Sequence, residues 1–272
     1  MKKLITLVFS CIIAALVLFI SCDENGDFLL FSIEDDKALG EQVKTEIAND
    51  PAQFPLLDRA SFPEAYSILD AMLDDILKTG QVTYAQDFDW ELFIINDQET
   101  LNAFATPGGK IYIYTGLIYF LSNLDDLMGV LGHEVAHSDR RHSSKQLQRQ
   151  YTIATLLGII SGENQSQFSE ILGNLATIGA LAQYSQAAET EADDFSVRYL
   201  AETDYACNGA AAFFVKLEDR GQTGQNIPFL STHPPSGDRI EGINALANEL
   251  GCDTALLDDD MSLLLALQNA LP

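Results

Sequence analysis

The stretch LGHEVAHSDRRHS, Leu131 to Ser143, holds three of the four histidines in the 272-residue chain. His133 and His137 are four apart, and Glu134 directly follows the first. In an α-helix, residues four apart lie one turn above each other on the same face. Two imidazoles at that spacing can face one ion. Glu134 is rotated away by about 100°, so it stands beside such an ion, where it can take a proton from an attacking water. This is the physical content of the H-E-x-x-H pattern: two zinc ligands and the general base of a metalloprotease. The bland reading is a helix on which two histidines and a glutamate coincide. A third ligand from elsewhere in the chain separates the two. Gly132, Val135 and Ala136 are small enough to let another helix come close.

His142 is the nearest candidate. The pattern with a third histidine is H-E-x-x-H-x-x-G-x-x-H. Here Arg140 occupies the glycine position and Ser143 the histidine position. His142 is one residue early and, in a continued helix, points away from His137. It therefore reads as a surface or supporting histidine near the helix end. The alternative is a carboxylate from a second helix, giving two histidines, one glutamate and an open position. YSQAAETEADDFSV (184–197) supplies one. Glu189 and Asp193 share a helical face, so Glu189 can ligate zinc while Asp193 holds a ligand histidine from behind. Glu191 lies on a different face and is the poorer choice. An ordinary exposed acidic helix is the competing reading of this stretch.

Outward from the motif, the pattern is α+β: a mostly helical body with a small β-sheet ahead of the motif helix. WELFIIND (90–97), NAFAT (102–106) and KIYIYTG (110–116) alternate as strands, with Pro107-Gly108-Gly109 as a tight turn. In the last strand, Ile111 and Ile113 face one way and Tyr112 and Tyr114 the other. SFPEAYSILDAMLDDILKTG (61–80) is an amphipathic helix with Ser61 as its expected cap and Gly80 as its stop. Helices are expected over 34–50, 143–162, 168–185, 187–203, 208–220, 236–250 and 254–270, and a motif helix opens at Asn123. The apolar runs Thr152–Ile160 and Ile171–Ala182 are too short and too interrupted to span a bilayer.

The formal net charge is −25, and no basic cluster exceeds Arg140-Arg141. Nucleic acid, which is bound through clustered Lys and Arg, is thereby excluded as a partner. The N-terminus, MKKLITLVFSCIIAALVLFISC, has two lysines followed by an apolar run to Ile20, the layout of an export signal. Ser21-Cys22 at its end resembles a lipobox with Cys22 as the lipidated residue; an uncleaved signal anchor is the alternative reading, since the apolar run nearly spans a bilayer. We therefore divide the chain into a lipoprotein signal (1–21), a tether (22–33) and one domain (34–272). Cys207 and Cys252 then remain. An even pair in an exported chain suggests a disulfide, with two buried thiols as the alternative.

GHEVAHSDRRHS, YSQAAETEADDFS and STHPPSGDRI together resemble the HtpX-like and CAAX-prenyl-endopeptidase superfamily of zinc metallopeptidases, in particular its short periplasmic lipoprotein branch. The resemblance runs over about residues 34–249, including DWELFIINDQETLNAFATPGGKIYIYTGL. It implies one zinc ion held by His133, His137 and Glu189, with Glu134 as catalytic base and Asp193 behind the ligands. It places His233 and Arg239 near the cleft. His233 is expected either to stabilise the oxyanion or to cover the open metal position, and Arg239 to do the former or to anchor its loop. Gln186, Ala187 and Ala188 depart from the charged residues many members carry, and the spanning helices of membrane-embedded relatives are missing. The implied activity is endopeptidase cleavage of misfolded or misassembled envelope proteins by an enzyme anchored through an N-terminal lipid, on the outer membrane. A substrate in extended form would add to a strand edge at Ala103–Thr106 or Lys110–Tyr114. The competing class is a chaperone-like envelope binding protein whose metal is structural.

Overall fold

Ser32 opens the first helix, α1 (Ile33–Asn49), through a reciprocal cap: its hydroxyl accepts the Asp35 amide at 3.1 Å, and Asp35 Oδ2 accepts the Ser32 amide at 2.8 Å. The computed structural model describes residues 21–22, 28–29, 31–161, 163, 184–221, 227–233, 238–255 and 260–272. The signal run up to Ile20, most of the helix expected over 168–185 and the Pro234-Pro235 pair lie outside them. No described helix is long and apolar enough to cross a membrane.

Helix α2 (Pro63–Leu77) starts on proline at its first position, where the missing N–H costs nothing. Ala65, Leu69, Met72, Leu73 and Ile76 are its buried stripe. Its cap is Phe62 rather than Ser61, whose amide and hydroxyl are both taken by Asp58. Strands β1 (Glu91–Ile95), β2 (Ala103–Thr106) and β3 (Lys110–Tyr114) form one sheet in the order β1-β3-β2. β3 runs parallel to β1, with Leu92 opposite Ile111, and antiparallel to β2, with Phe104 opposite Tyr112. The alternation read from the sequence divides the core. Ile111 and Ile113 join the large cluster with α2, and Tyr112 and Tyr114 join Leu39, Val43 and Ile47 of α1. The central place of β3 corrects one expectation: Lys110–Tyr114 has neighbours on both sides and offers no edge, whereas β2 does.

A short helix, α3 (Thr115–Phe120), leads to α4 (Leu124–Asp139), capped by Asn123, whose side chain accepts the Asp126 amide at 2.8 Å. Every residue of α4 is buried. Instead of one helix over 143–162 there are two, α5 (His142–Gln150) and α6 (Ile153–Ile160). Tyr151 is extended, and Thr152 accepts the Thr155 amide at 3.3 Å, acting as a cap where a helix interior was expected. Among the described residues, helices α7 (Gln186–Leu200), α8 (Gly209–Asp219), α9 (Pro228–Thr232), α10 (Arg239–Leu250) and α11 (Asp260–Asn269) complete the α+β fold. Thr254 and Ala255, expected at the start of the last helix, are non-helical.

Glycine lets α4 act as the axis. A Cβ on Gly129 would fall 2.0 Å from Ala210 N on α8, and one on Gly132 would fall 2.7 Å from Ser196 Oγ on α7. Cys207 and Cys252 form a disulfide joining the segment before α8 to the end of α10.

Candidate active site

The site is built where α4 and α7 cross. His133 and His137 project from one face of α4 with Nε2 atoms 2.9 Å apart. Glu189, in the first turn of α7, approaches them with its oxygens 3.4 Å from His133 Nε2 and 3.6 Å from His137 Nε2. His233, at the end of α9, brings Nδ1 to 3.2 Å from His133 Nε2 and 3.2 Å from Glu189 Oε1. All four side chains are buried.

Three imidazole nitrogens and a carboxylate meeting in this way lack enough protons to satisfy one another. A tetrahedral zinc ion with bonds of about 2.0–2.1 Å spaces its ligand atoms roughly 3.3 Å apart. The separations here, 2.9 to 3.6 Å, bracket that figure. The electrostatics agree. Burial alone would lower the His133 pKa, yet the Asp193 and Glu189 carboxylates raise it to about 9. Burial opposes ionisation of Glu189, but His233 and His133 hold its carboxyl well below the usual range. The carboxylates thus favour positive charge on His133, while burial and the neighbouring His133 hold the His137 pKa down and keep that imidazole neutral, and the donor set fits zinc.

Glu134 stands beside this cluster, fully buried, and neither carboxylate oxygen has a hydrogen-bond partner. Burial raises its pKa. His233 Nε2, also without a hydrogen-bond partner, lies 3.3 Å from Glu134 Oε1.

Asp193 Oδ1 lies 2.9 Å from His133 Nδ1, behind the ligand face as the spacing predicts. Arg239 is committed to carboxylates. Its Nε and one terminal nitrogen reach Asp193 at 2.6 Å, the other reaches Glu189 at 2.9 Å, and its guanidinium lies over Phe214. This fork holds Asp193 ionised against the effect of burial.

His142 takes the supporting place of the two expected for it, but not the direction: it is buried and does not point away from His137, the two Nδ1 atoms being 2.9 Å apart. The helix does not continue. It ends at Asp139, and Arg141 takes the left-handed conformation at φ 59°. Such a conformation costs a non-glycine residue roughly 1–3 kcal/mol. The Arg141 side chain offsets it by binding Asp36 Oδ2 at 2.5 Å and the Phe31 carbonyl at 2.6 Å. The turn folds α5 back so that His142 returns to His137. Glu191, unsuited to the metal, contacts His142 Nε2 at 3.2 Å and accepts from Arg140 at 2.9 Å. Tyr184 was not singled out in the sequence. Its ring stacks on His137 at 3.9 Å, and its hydroxyl pairs with Ser143 at 2.8 Å. An aromatic just ahead of the Ser185 cap was the one available signal.

The sequence model of peptidase family M48 matches residues 66–247. The chain is 34% identical over 165 residues to the mitochondrial metalloendopeptidase OMA1 of Schizosaccharomyces pombe, covering 60% of this chain and 48% of that protein. It is 30% identical over 210 residues to the metalloprotease LoiP of Escherichia coli, covering 74% of this chain and 79% of LoiP. With the β-barrel assembly-enhancing protease of Escherichia coli it shares 28% identity over 171 residues, 59% of this chain but 35% of that protein. The chain thus spans about half or less of the first and third of these relatives. The matched segment contains His133, Glu134, His137, Glu189, Asp193, His233 and Arg239, and the chain belongs to peptidase family M48.

Proposed function

We propose that this chain is a zinc-dependent endopeptidase that cleaves exported proteins which have misfolded or failed to assemble in the bacterial envelope. The observation that carries the reading is the pairing of a buried zinc-like donor set with Glu134, a fully buried carboxylate that stands beside the set without being part of it. A purely structural metal would give that carboxylate nothing to do. Zinc, when bound by His133, His137 and Glu189, supplies a Lewis acid that polarises the scissile carbonyl and lowers the pKa of water toward about 7.

Glu134 takes a proton from the attacking water on a carboxylate oxygen and passes it to the departing amine. Its raised pKa suits a group that must hold that proton briefly. Asp193 orients His133, and Arg239 fixes Asp193 and Glu189 together. His233 occupies the fourth corner of the donor set and faces Glu134, so we read this arrangement as latent, with His233 as the group that withdraws when substrate enters. An extended substrate would then lie along β2, the edge strand beside α4.

The envelope assignment draws on the signal-like N-terminus, on Cys22 as a lipid acceptor and on a relative named for β-barrel assembly. Metal analysis with casein hydrolysis tests the proposal. Glu134→Gln should keep zinc and lose cleavage by roughly 10²–10⁴-fold. Cleavage retained in that variant would favour the chaperone-like alternative. His233→Ala should raise cleavage with zinc retained, and a fall would return His233 to oxyanion stabilisation.

A further inference from the structure

The two α4 histidines turn their Nε2 atoms toward each other and Glu189, but their remaining nitrogens meet different acceptors. His133 Nδ1 meets the Asp193 carboxylate at 2.9 Å, the usual partner of a metal-ligating imidazole. His137 Nδ1 meets another imidazole, His142 Nδ1, also at 2.9 Å.

This contact has a determined protonation. An imidazole that offers its Nε2 lone pair to a metal carries its proton on Nδ1. His137 therefore donates, and His142 Nδ1 must be bare to accept. The one proton of neutral His142 then sits on Nε2, which faces Glu191 Oε2 at 3.2 Å. The other Glu191 oxygen accepts from Arg140 Nε at 2.9 Å. Each group in the row Arg140, Glu191, His142, His137 thus fixes the role of the next. Tyr184, stacked on the His137 ring and bonded to Ser143, restrains the same ring from its face.

We propose that His142 is a positioning residue: it accepts the His137 N–H and so fixes the tautomer and ring angle that present His137 Nε2 to the metal, while Glu191 sets the tautomer of His142. The inference rests on the zinc reading above. His142 acts only through His137.

The experiment measures zinc affinity of the full chain by competition with a chromophoric chelator, with visible absorption of the cobalt-loaded protein as a second readout. His142→Leu keeps bulk and removes the acceptor. His142→Asn restores an acceptor oxygen near the Nδ1 position. The Leu variant should bind zinc about 10–100-fold more weakly and shift the cobalt bands, and the Asn variant should recover most of the loss. Unchanged affinity and cobalt spectrum in the Leu variant would overturn the proposal. So would equal losses in both variants, since packing alone would then explain them. If neither His142 variant folds, Glu191→Leu, at a partly exposed position, takes their place. It should weaken zinc several-fold, and wild-type affinity there would overturn the relay. Wild-type protein that binds no zinc would overturn the metal reading itself, which distinguishes that failure from one confined to His142.

Discussion

Replacing Gly129 by alanine tests the packing that brings the halves of the site together. The added Cβ would sit 2.0 Å from Ala210 N and 2.2 Å from Gly209 C, both backbone atoms that no rotamer change can move. Ordinary contact begins near 3.4 Å, so α4 and α8 must part locally by about 1.4 Å. Overpacking of this kind costs about 1–3 kcal/mol, and a backbone clash belongs at the upper end. Removing a glycine from a helix interior returns about 1 kcal/mol. The net loss is about 2 kcal/mol, or roughly 4–8 °C in Tm for a chain of this size. Gly242→Ala in α10 is the control: nothing lies within 4 Å of its Cβ, so the helix gain of about 1 kcal/mol should raise Tm. Thermal unfolding followed by far-ultraviolet circular dichroism, with chelator present so that zinc does not mask the difference, reads both. A Gly129→Ala variant at least as stable as wild type would refute the close-approach argument.

Asp193→Asn should weaken zinc binding by about 10–100-fold, because His133 and Arg239 both lose a charged partner; chelator competition checks it. The Cys207–Cys252 disulfide closes a sequence separation of 45, worth about 4 kcal/mol by loop entropy. Reductant should therefore lower the urea midpoint of wild type and leave that of a double alanine variant unchanged. For substrate docking, Ala103→Pro is the informative proline. Asn102 O accepts from Tyr114 N across the ladder, so alternation turns the Ala103 N–H toward the open edge. Its loss should reduce cleavage of unfolded protein with zinc affinity kept, and unchanged turnover would exclude strand addition there.

The local elements were largely legible. The Asn123 start of α4, the alternation of Ile111 to Tyr114 and the apolar stripe of α2 are written in short windows, because hydrogen bonding and side-chain direction over one or two turns decide them. His133, Glu134 and His137 were legible for the same reason. Glu189 needed more than a spacing rule, since Glu191 is equally acidic and only the helical face distinguishes the two. The break at Tyr151-Thr152 was missed because a threonine that can cap a helix can also sit inside one.

The sequence by itself determined which residues could share a helical face, and with that the two half-sites on α4 and α7. Tertiary structure decided how the halves meet and what lies behind them. It made β3 central and β2 the edge, since pairing partners are chosen across the fold. It also turned His142 back onto His137. That return depends on Arg141 adopting a left-handed conformation held by Asp36, a buried partner 105 residues away. A conformation stabilised by so distant a contact leaves no trace in the local spacing, which is why His142 read as outward in the sequence and stands against His137 in the fold.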